Sequence, residues 1–556
     1  MIKNKSILFS LLFFAVFLAS LLRFWQLGKI PISPDWDEVA LGYSAYSILH
    51  TGRDEYGKFL PVVLRSYDDY KPALYTYLII PFLPLFDLSV FAVRFPSALL
   101  GVLGVLAVFF ILRRLFDGFK YRDYLSLLAS FLFAVSPWDI QFSRVAFESH
   151  VGAIFNILVV LFFVKGVKKP WFLCLSAIFA GLSLYVYQSE KVFTPLLVLV
   201  LVLVYRHDIL NHGKKYFLTA LVLGAIVVLP MVFYIVNNRQ ALLRVTGTSV
   251  FSEQTQLLQN NIEKLERDHQ TNDKIGLVLD NRRFVYATTI VSGYISHYYL
   301  NWLFITGDLV RHHAPNMGLL YLWEFPFIFI GMYYLIFGEF DKKTKLLIFA
   351  WYLIVPIPAS ITSGVPHAVR TMNFLPLYEV FTALGIIYSL MNLVKINKKL
   401  FGLKVWKIIT ILYFLFVIFN FSYYLNQYFS QQNFFSAKDW QYGWEPTVNY
   451  IKQIQGKYKK ILVSDKEPLD RSYMFFAFYL KYPPNKYQKY GVKESGGFAE
   501  THYFDKFEFR PLNYEKDSKD PNALLIGTPH EFPGSITPLK TIRYPNKDAV
   551  IEIVGK

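Results

Sequence analysis

Pro72-Ala73-Leu74-Tyr75-Thr76-Tyr77-Leu78-Ile79-Ile80-Pro81-Phe82-Leu83-Pro84-Leu85-Phe86 is apolar enough to pass for a membrane span, and whether it crosses decides the topology of everything after it. The charges around it settle the matter. The next long apolar run, 91–112, ends on Arg113-Arg114, and basic residues flanking spans collect on the cytoplasmic side. The amino terminus, with Lys3 and Lys5 ahead of the apolar run Ile7 to Leu22, belongs to that side too. One outward crossing by the first run and one inward crossing by 91–112 return Arg113 and Arg114 to the cytoplasm. A further crossing by Pro72 to Phe86 would strand them outside. The segment is therefore expected to lie along, or dip into, the outer interface, where Tyr75 and Tyr77 suit the headgroup region.

Composition agrees with a polytopic α-helical membrane protein. Of 556 residues, 54% are hydrophobic, 18% aromatic and only 17% charged, with a mean hydropathy of +0.34, which excludes an ordinary soluble fold. The net charge of +17 does not point to nucleic acid, because the basic residues sit in short runs between apolar segments. Stretches of roughly 15 to 23 apolar residues, matched to a hydrocarbon core of about 30 Å, place eleven spans near 6–25, 91–112, 124–138, 150–164, 171–187, 192–205, 216–236, 319–337, 346–358, 372–394 and 408–424. Lys165/Lys168/Lys169, Arg206/Lys214/Lys215, Lys342/Lys343/Lys345 and Lys395/Lys398/Lys399/Lys404 then share the amino-terminal side. The first run reads as an uncleaved span rather than a removable signal peptide. The outer loops are 28–90, 138–150, 237–318 and 359–371, and residues 1–430 form the membrane module. From 431 to 556, mixed charge and strand-like runs such as Lys460-Ile461-Leu462-Val463-Ser464 indicate a small extracytoplasmic α/β domain. The one cysteine, Cys174, cannot make an intrachain disulfide.

Ionisable groups are costly in lipid, so where they gather is informative. Pro34-Asp35-Trp36-Asp37-Glu38 precedes a run that reads as an interfacial helix; Asp37 and Glu38 either cap that helix or face a reaction site. Asp69 and Lys71 follow in the same loop. In the second outer loop Arg144 and Glu148 are four residues apart, the spacing of a helical ion pair. After the ninth span, His367 and Arg370 would share a helical face at the top of the bundle, and an arginine fork there suits a phosphate. Glu324 is an intramembrane acid, a functional candidate or half of a packed ion pair. Asp308 with His312 and His313 could be read as metal ligands, but the spacing is unspecific, so no metal or other cofactor is expected.

The stretches Pro34 to Tyr46, Asp69 to Tyr75, Phe91 to Gly101, Ser136 to Glu148 and Ser363 to Pro376 resemble the GT-C glycosyltransferases, in the branch of the protein O-mannosyltransferases and the aminoarabinose transferases of lipid A. The resemblance covers roughly the first two hundred residues and does not reach the end of the chain. It implies an acid of the first outer loop at the reaction centre, here Asp37-Glu38. Where the aminoarabinose transferases carry Glu-Lys-Pro-Pro, this chain reads Tyr70-Lys71-Pro72-Ala73, which keeps the lysine and loses the glutamate.

The expectation is thus a glycosyltransferase of the cell membrane using a polyprenyl-phosphate sugar, with a protein, lipid or glycan acceptor and inverting single displacement. Asp37 is the expected base, assisted by Glu38; Lys71, Asp69, Arg144, Glu148, His367 and Arg370 are expected to bind carrier phosphate or sugar. The alternatives are a transporter or flippase of lipid-linked saccharides, which would place ionisable groups at mid-bilayer on broken helices, and a non-catalytic scaffold.

Overall fold

The computed structural model describes residues 5–67, 69–238, 249–251, 256–400, 403–490 and 502–555. Every apolar segment read from the sequence carries a helix: α1 (Lys5–Phe24), α5 (Val90–Leu115), α6 (Arg122–Val135), α8 (Glu148–Gly166), α9 (Phe172–Ser183), α10 (Glu190–His212), α11 (Lys214–Asn237), and then Phe325–Phe337, Lys342–Ile354, Leu377–Leu393 and Val405–Asn426. Six described helices are long and apolar enough to cross a membrane, or seven if α6 and α7 (Pro137–Ser143), which meet at a bend of 54°, count as one. The others are shorter than expected; 13 residues of α-helix reach about 20 Å. Pro137 opens α7, where its missing N–H costs nothing, and the bend falls just before it.

Large apolar side chains stand exposed along α1, α11 and Val405–Asn426, among them Phe13, Phe17, Phe233, Phe414 and Phe419. On helices long and apolar enough to cross a membrane, such faces are those that lipid covers. The chain is an integral membrane protein. The helices Phe325–Phe337 and Leu377–Leu393 touch at two glycines: a Cβ on Gly331 would lie 1.8 Å from the Phe381 carbonyl oxygen, and one on Gly385 would lie 2.0 Å from that of Phe327. Small residues allow such backbone approach between membrane helices.

The Pro72–Phe86 segment does not run as one span. After the hairpin of β1 (Val63–Ser66) and β2 (Asp69–Pro72) come α3 (Leu74–Ile79), a 3-10 turn and α4 (Leu83–Phe86). α3 packs on α2 (Trp36–Thr51) and α5, burying Tyr75, whose hydroxyl donates to the Val93 carbonyl at 3.0 Å. The basic clusters meet at the opposite end of the bundle, where Lys168 reaches Asp117 at 3.2 Å and Lys343 reaches Asp208 at 2.6 Å.

Past a short hairpin of β3 (Lys399–Leu400) and β4 (Leu403–Lys404), the carboxy-terminal part forms a mixed sheet. It comprises β5 (Lys460–Val463), β6 (His502–Phe504), β7 (Phe507–Phe509), β8 (Ala523–Gly527), β9 (Lys540–Arg543) and β10 (Ala549–Val554), in the order β6-β7-β5-β8-β10-β9. β5 runs parallel to β7 and β8, and the other pairs are antiparallel. This unit is not separate from the first outer loop. Val39, Tyr43 and Val93 share one hydrophobic core with Phe475, Phe476 and Phe478, and Gly42 is needed there because a Cβ would lie 2.7 Å from the Phe478 ring. Tyr43 also donates to the Tyr482 carbonyl at 2.9 Å.

Candidate active site

The amino terminus of α2 gives its three acids three different tasks. Asp35 is the N-cap: its side chain accepts from the Glu38 N–H at 2.9 Å, and the Glu38 side chain accepts from the Asp35 N–H at 3.2 Å, a capping box. Glu38 also takes the Arg94 fork, Nε at 2.8 Å and Nη2 at 2.9 Å, and the Ala146 N–H at 3.1 Å. Its carboxylate is saturated and 1% exposed. Glu38, expected to assist the base, has both carboxylate oxygens taken up by these partners. Asp37, 29% exposed, is the accessible acid.

Asp37 forms an ion pair with Lys71 Nζ. The β1–β2 hairpin sets Lys71 opposite Leu64, and its side chain is buried down to the ammonium. The side chain of Asp69, at the start of β2, lies outside the described residues. Two further cations complete this corner, and both come from segments that the sequence does not connect to it. Arg311 donates to Asp35 at 2.6 Å and stacks 4.7 Å from the centre of the Trp36 ring. Arg471, from the carboxy-terminal unit, lies 4.1 Å from the same ring and 5.6 Å from that of Tyr67. Each guanidinium gains cation–π attraction from Trp36. Burial pushes the Asp35 carboxyl up to about 7, against the pull of Arg311.

Arg144 does not reach this corner. All five of its N–H groups are used, on the carbonyls of Leu22, Arg23, Trp25 and Ile30 and on the Tyr428 hydroxyl. Arg94 likewise binds the Leu27, Pro31 and Ser33 carbonyls besides Glu38. The two buried arginines tie down the connection from α1 to α2, so Arg144 is structural and not a phosphate ligand. Glu148 opens α8 and is buried; because α7 ends at Ser143, it shares no helix with Arg144. Glu324 accepts from the Tyr321 N–H at 3.2 Å and closes the turn before Phe325–Phe337.

Nearby, Asp139 joins Arg23 and His150, and His150 Nδ1 lies 2.9 Å from Ser97 Oγ. The residue types suggest a nucleophilic triad, but every member is buried to within 1% of exposure, so the cluster packs α1, α5, α7 and α8 together.

His367 and Arg370 line a cleft of about 600 Å³ with Asp308, Trp302 and Ser363. Arg370 Nη1 donates to the Ser363 carbonyl at 2.6 Å. Burial holds the His367 imidazole well below its usual range, with Arg370 and His312 adding to the effect. Burial also acts to raise Asp308, but His312 and the Ala368 N–H prevail and its carboxyl stays below the ordinary value. Arg311, which pairs with Asp35, is next to His312, and Gln141 donates to the Arg311 carbonyl at 2.7 Å.

Residues 70–234, from the strand bearing Lys71 to the end of α11, match the family model of dolichyl-phosphate-mannose-protein mannosyltransferases. Over the whole length the backbone is similar to ArnT from Cupriavidus metallidurans in its apo state, with a TM-score of 0.55 at 13% identity, covering 99% of this chain and 98% of that one. The fold is that of ArnT. ArnT bound to undecaprenyl phosphate gives a TM-score of 0.53 at 12% identity, over 97% of each chain. The archaeal oligosaccharyltransferase AglB from Archaeoglobus fulgidus, in complex with an inhibitory peptide and a dolichol-phosphate, gives 0.49 at 14% identity over 85% of this chain. The chain spans 64% of AglB's length. No curated protein sequence matches. Within this fold, Asp37 and Lys71 lie on the elements that connect α1 to α5.

Proposed function

We propose that the chain is a glycosyltransferase that moves a sugar from a polyprenyl-phosphate carrier to an acceptor hydroxyl on the extracytoplasmic face of the cell membrane. The observation that carries this reading is the Asp37–Lys71 pair, an accessible carboxylate beside a buried lysine on the elements that connect α1 to α5. Direct displacement needs a base for the acceptor proton and a cation for the departing phosphate, and this pair supplies both. Lys71 turns from Asp37 to the carrier phosphate when donor binds, leaving Asp37 to take the proton. The acceptor oxygen bonds to the anomeric carbon as its bond to phosphate oxygen breaks, with inversion. One carboxylate suffices, unlike the paired acids of retaining hydrolysis. Arg311 and Arg471 add positive potential at the same corner, and Arg370 does so in the cleft it lines.

The reading takes all eleven apolar helices as crossings, the shorter ones continuing through bent or 3-10 turns, with the basic clusters in the cytoplasm. An apolar cavity of about 1090 Å³, lined by Leu18, Phe131, Tyr321, Phe327, Tyr413 and Phe421, offers room for a prenyl chain between helices. The carboxy-terminal sheet, which shares its core with α2 and brings Arg471 to Trp36, forms part of the acceptor side. The test is reconstitution: purified protein in liposomes with labelled polyprenyl-phosphate sugars and a cell-envelope extract should transfer label and release polyprenyl phosphate. Failure with mannosyl, arabinosyl and hexosyl donors alike would overturn it.

A further inference from the structure

Asp308, His312 and His367 bring one carboxylate and two imidazoles together from two loops, with ligand atoms all within 4.8 Å of one another. The protein satisfies only part of this cluster. Asp308 Oδ2 accepts from the Ala368 N–H at 2.8 Å and lies 2.9 Å from His312 Nδ1. Asp308 Oδ1 and His367 Nδ1, by contrast, are buried without a hydrogen-bond partner among the described residues, and the Asp308 side chain is 8% exposed. A buried polar atom left unpaired is destabilising, and a carboxylate oxygen beside an imidazole nitrogen that can present its lone pair makes a pair that a cation fits.

The surroundings hold the cluster in place. His297 lies 2.7 Å from the Gly293 carbonyl through Nδ1, so its Nε2 accepts from the His367 N–H at 3.2 Å and fixes that backbone. The His312 ring packs on Phe142 and Phe147, with ring centres 5.6 and 5.8 Å away. Two imidazoles and a carboxylate suit a borderline divalent ion such as Zn²⁺, with a position left for an oxygen ligand. Asp308 and His367 both border the cleft that holds Arg370, so the cluster opens onto it.

We infer that Asp308, His312 and His367 form a divalent-metal site of the Zn²⁺ class, opening onto the Arg370 cleft. The site revises the expectation of no metal made from the spacing of Asp308, His312 and His313, since the third ligand is His367. By holding His312, the ion also holds Arg311 against Asp35 and Trp36. The inference stands apart from sugar transfer, because its test reads metal alone.

Full-length protein in detergent, stripped with EDTA and dialysed against ZnCl₂, is expected to retain one equivalent of zinc per chain. X-ray absorption of the loaded protein should show two imidazole ligands. Asp308→Asn keeps an acceptor for the Ala368 N–H, and with His367→Gln it should weaken zinc binding at least tenfold, a loss of the size expected on disturbing a metal site. Melting of the EDTA-stripped variants at the temperature of the stripped parent shows that they fold. Retention of no zinc by the parent, an absorption spectrum without imidazole, or unchanged binding in both folded variants overturns the site.

Discussion

Replacing Glu38 by glutamine is expected to damage the fold rather than the chemistry. The carboxylate receives four N–H groups: Arg94 Nε at 2.8 Å, Arg94 Nη2 at 2.9 Å, Ala146 N at 3.1 Å and Asp35 N at 3.2 Å. Glutamine offers one oxygen, so its amide nitrogen must face two of these donors. Two unmade buried bonds cost about 1–3 kcal/mol each, and removing one partner of a buried ion pair costs about 3–5 kcal/mol. The two estimates overlap, which sets the expected loss at about 3–5 kcal/mol. Size-exclusion chromatography of heated, detergent-solubilised protein should show melting several degrees lower, with transfer per folded molecule largely kept. Glu38→Gln combined with Arg94→Met should lose less than the sum of the single changes, because no buried charge is left alone. A Glu38→Gln protein that melts like the parent yet transfers no sugar would refute this reasoning and return Glu38 to catalysis.

Three other outcomes follow from the same geometry. Arg144→Lys, which cannot match five fixed acceptors, should lower the yield of folded protein while leaving the donor KM of the surviving fraction unchanged. Gly385→Leu should prevent the contact between Phe325–Phe337 and Leu377–Leu393, since even a Cβ falls 2.0 Å from the Phe327 carbonyl oxygen; loss of monodisperse protein in detergent is the readout. Asp35 ionises at about 7 in the fold against 3.8 as an isolated group. Between those values the folded chain holds the extra proton, so its contribution to stability is present below pH 3.8 and is lost as pH rises through about 7. The charged Asp35–Arg311 pair forms over the same rise, so kcat/KM should increase with an apparent pKa near 7, and Asp35→Asn should abolish that limb.

Much of the layout was legible because lipid makes the sequence speak in long runs. The placement of Arg113-Arg114 was enough to deny Pro72–Phe86 a crossing, and the structure breaks that segment into short helices packed on α2 and α5. Helix lengths were less legible, since hydropathy cannot distinguish a continuous span from one interrupted by Pro137. At the site, the local pattern pointed to Asp37 and Lys71 but could not divide tasks among neighbouring acids. What separates Glu38 from Asp37 is Arg94, a partner 56 residues away. Arg144 misled for a physical reason: a guanidinium fork binds backbone carbonyls as readily as phosphate oxygens. Arg311 and Arg471 had no local signal, because only folding brings them to Trp36. The same holds for His367, which completes with Asp308 and His312 a set whose first two members lie four residues apart.

The central claim is that Asp37 accepts the proton in sugar transfer from a polyprenyl-phosphate donor. The direct measurement is single-turnover transfer in liposomes by Asp37→Asn beside the parent, with donor binding read in parallel. General-base catalysis contributes about 10²- to 10⁴-fold, so the account predicts a rate lowered by at least a hundredfold with donor affinity retained. An Asp37→Asn protein that transfers sugar within a few-fold of the parent rate would contradict it.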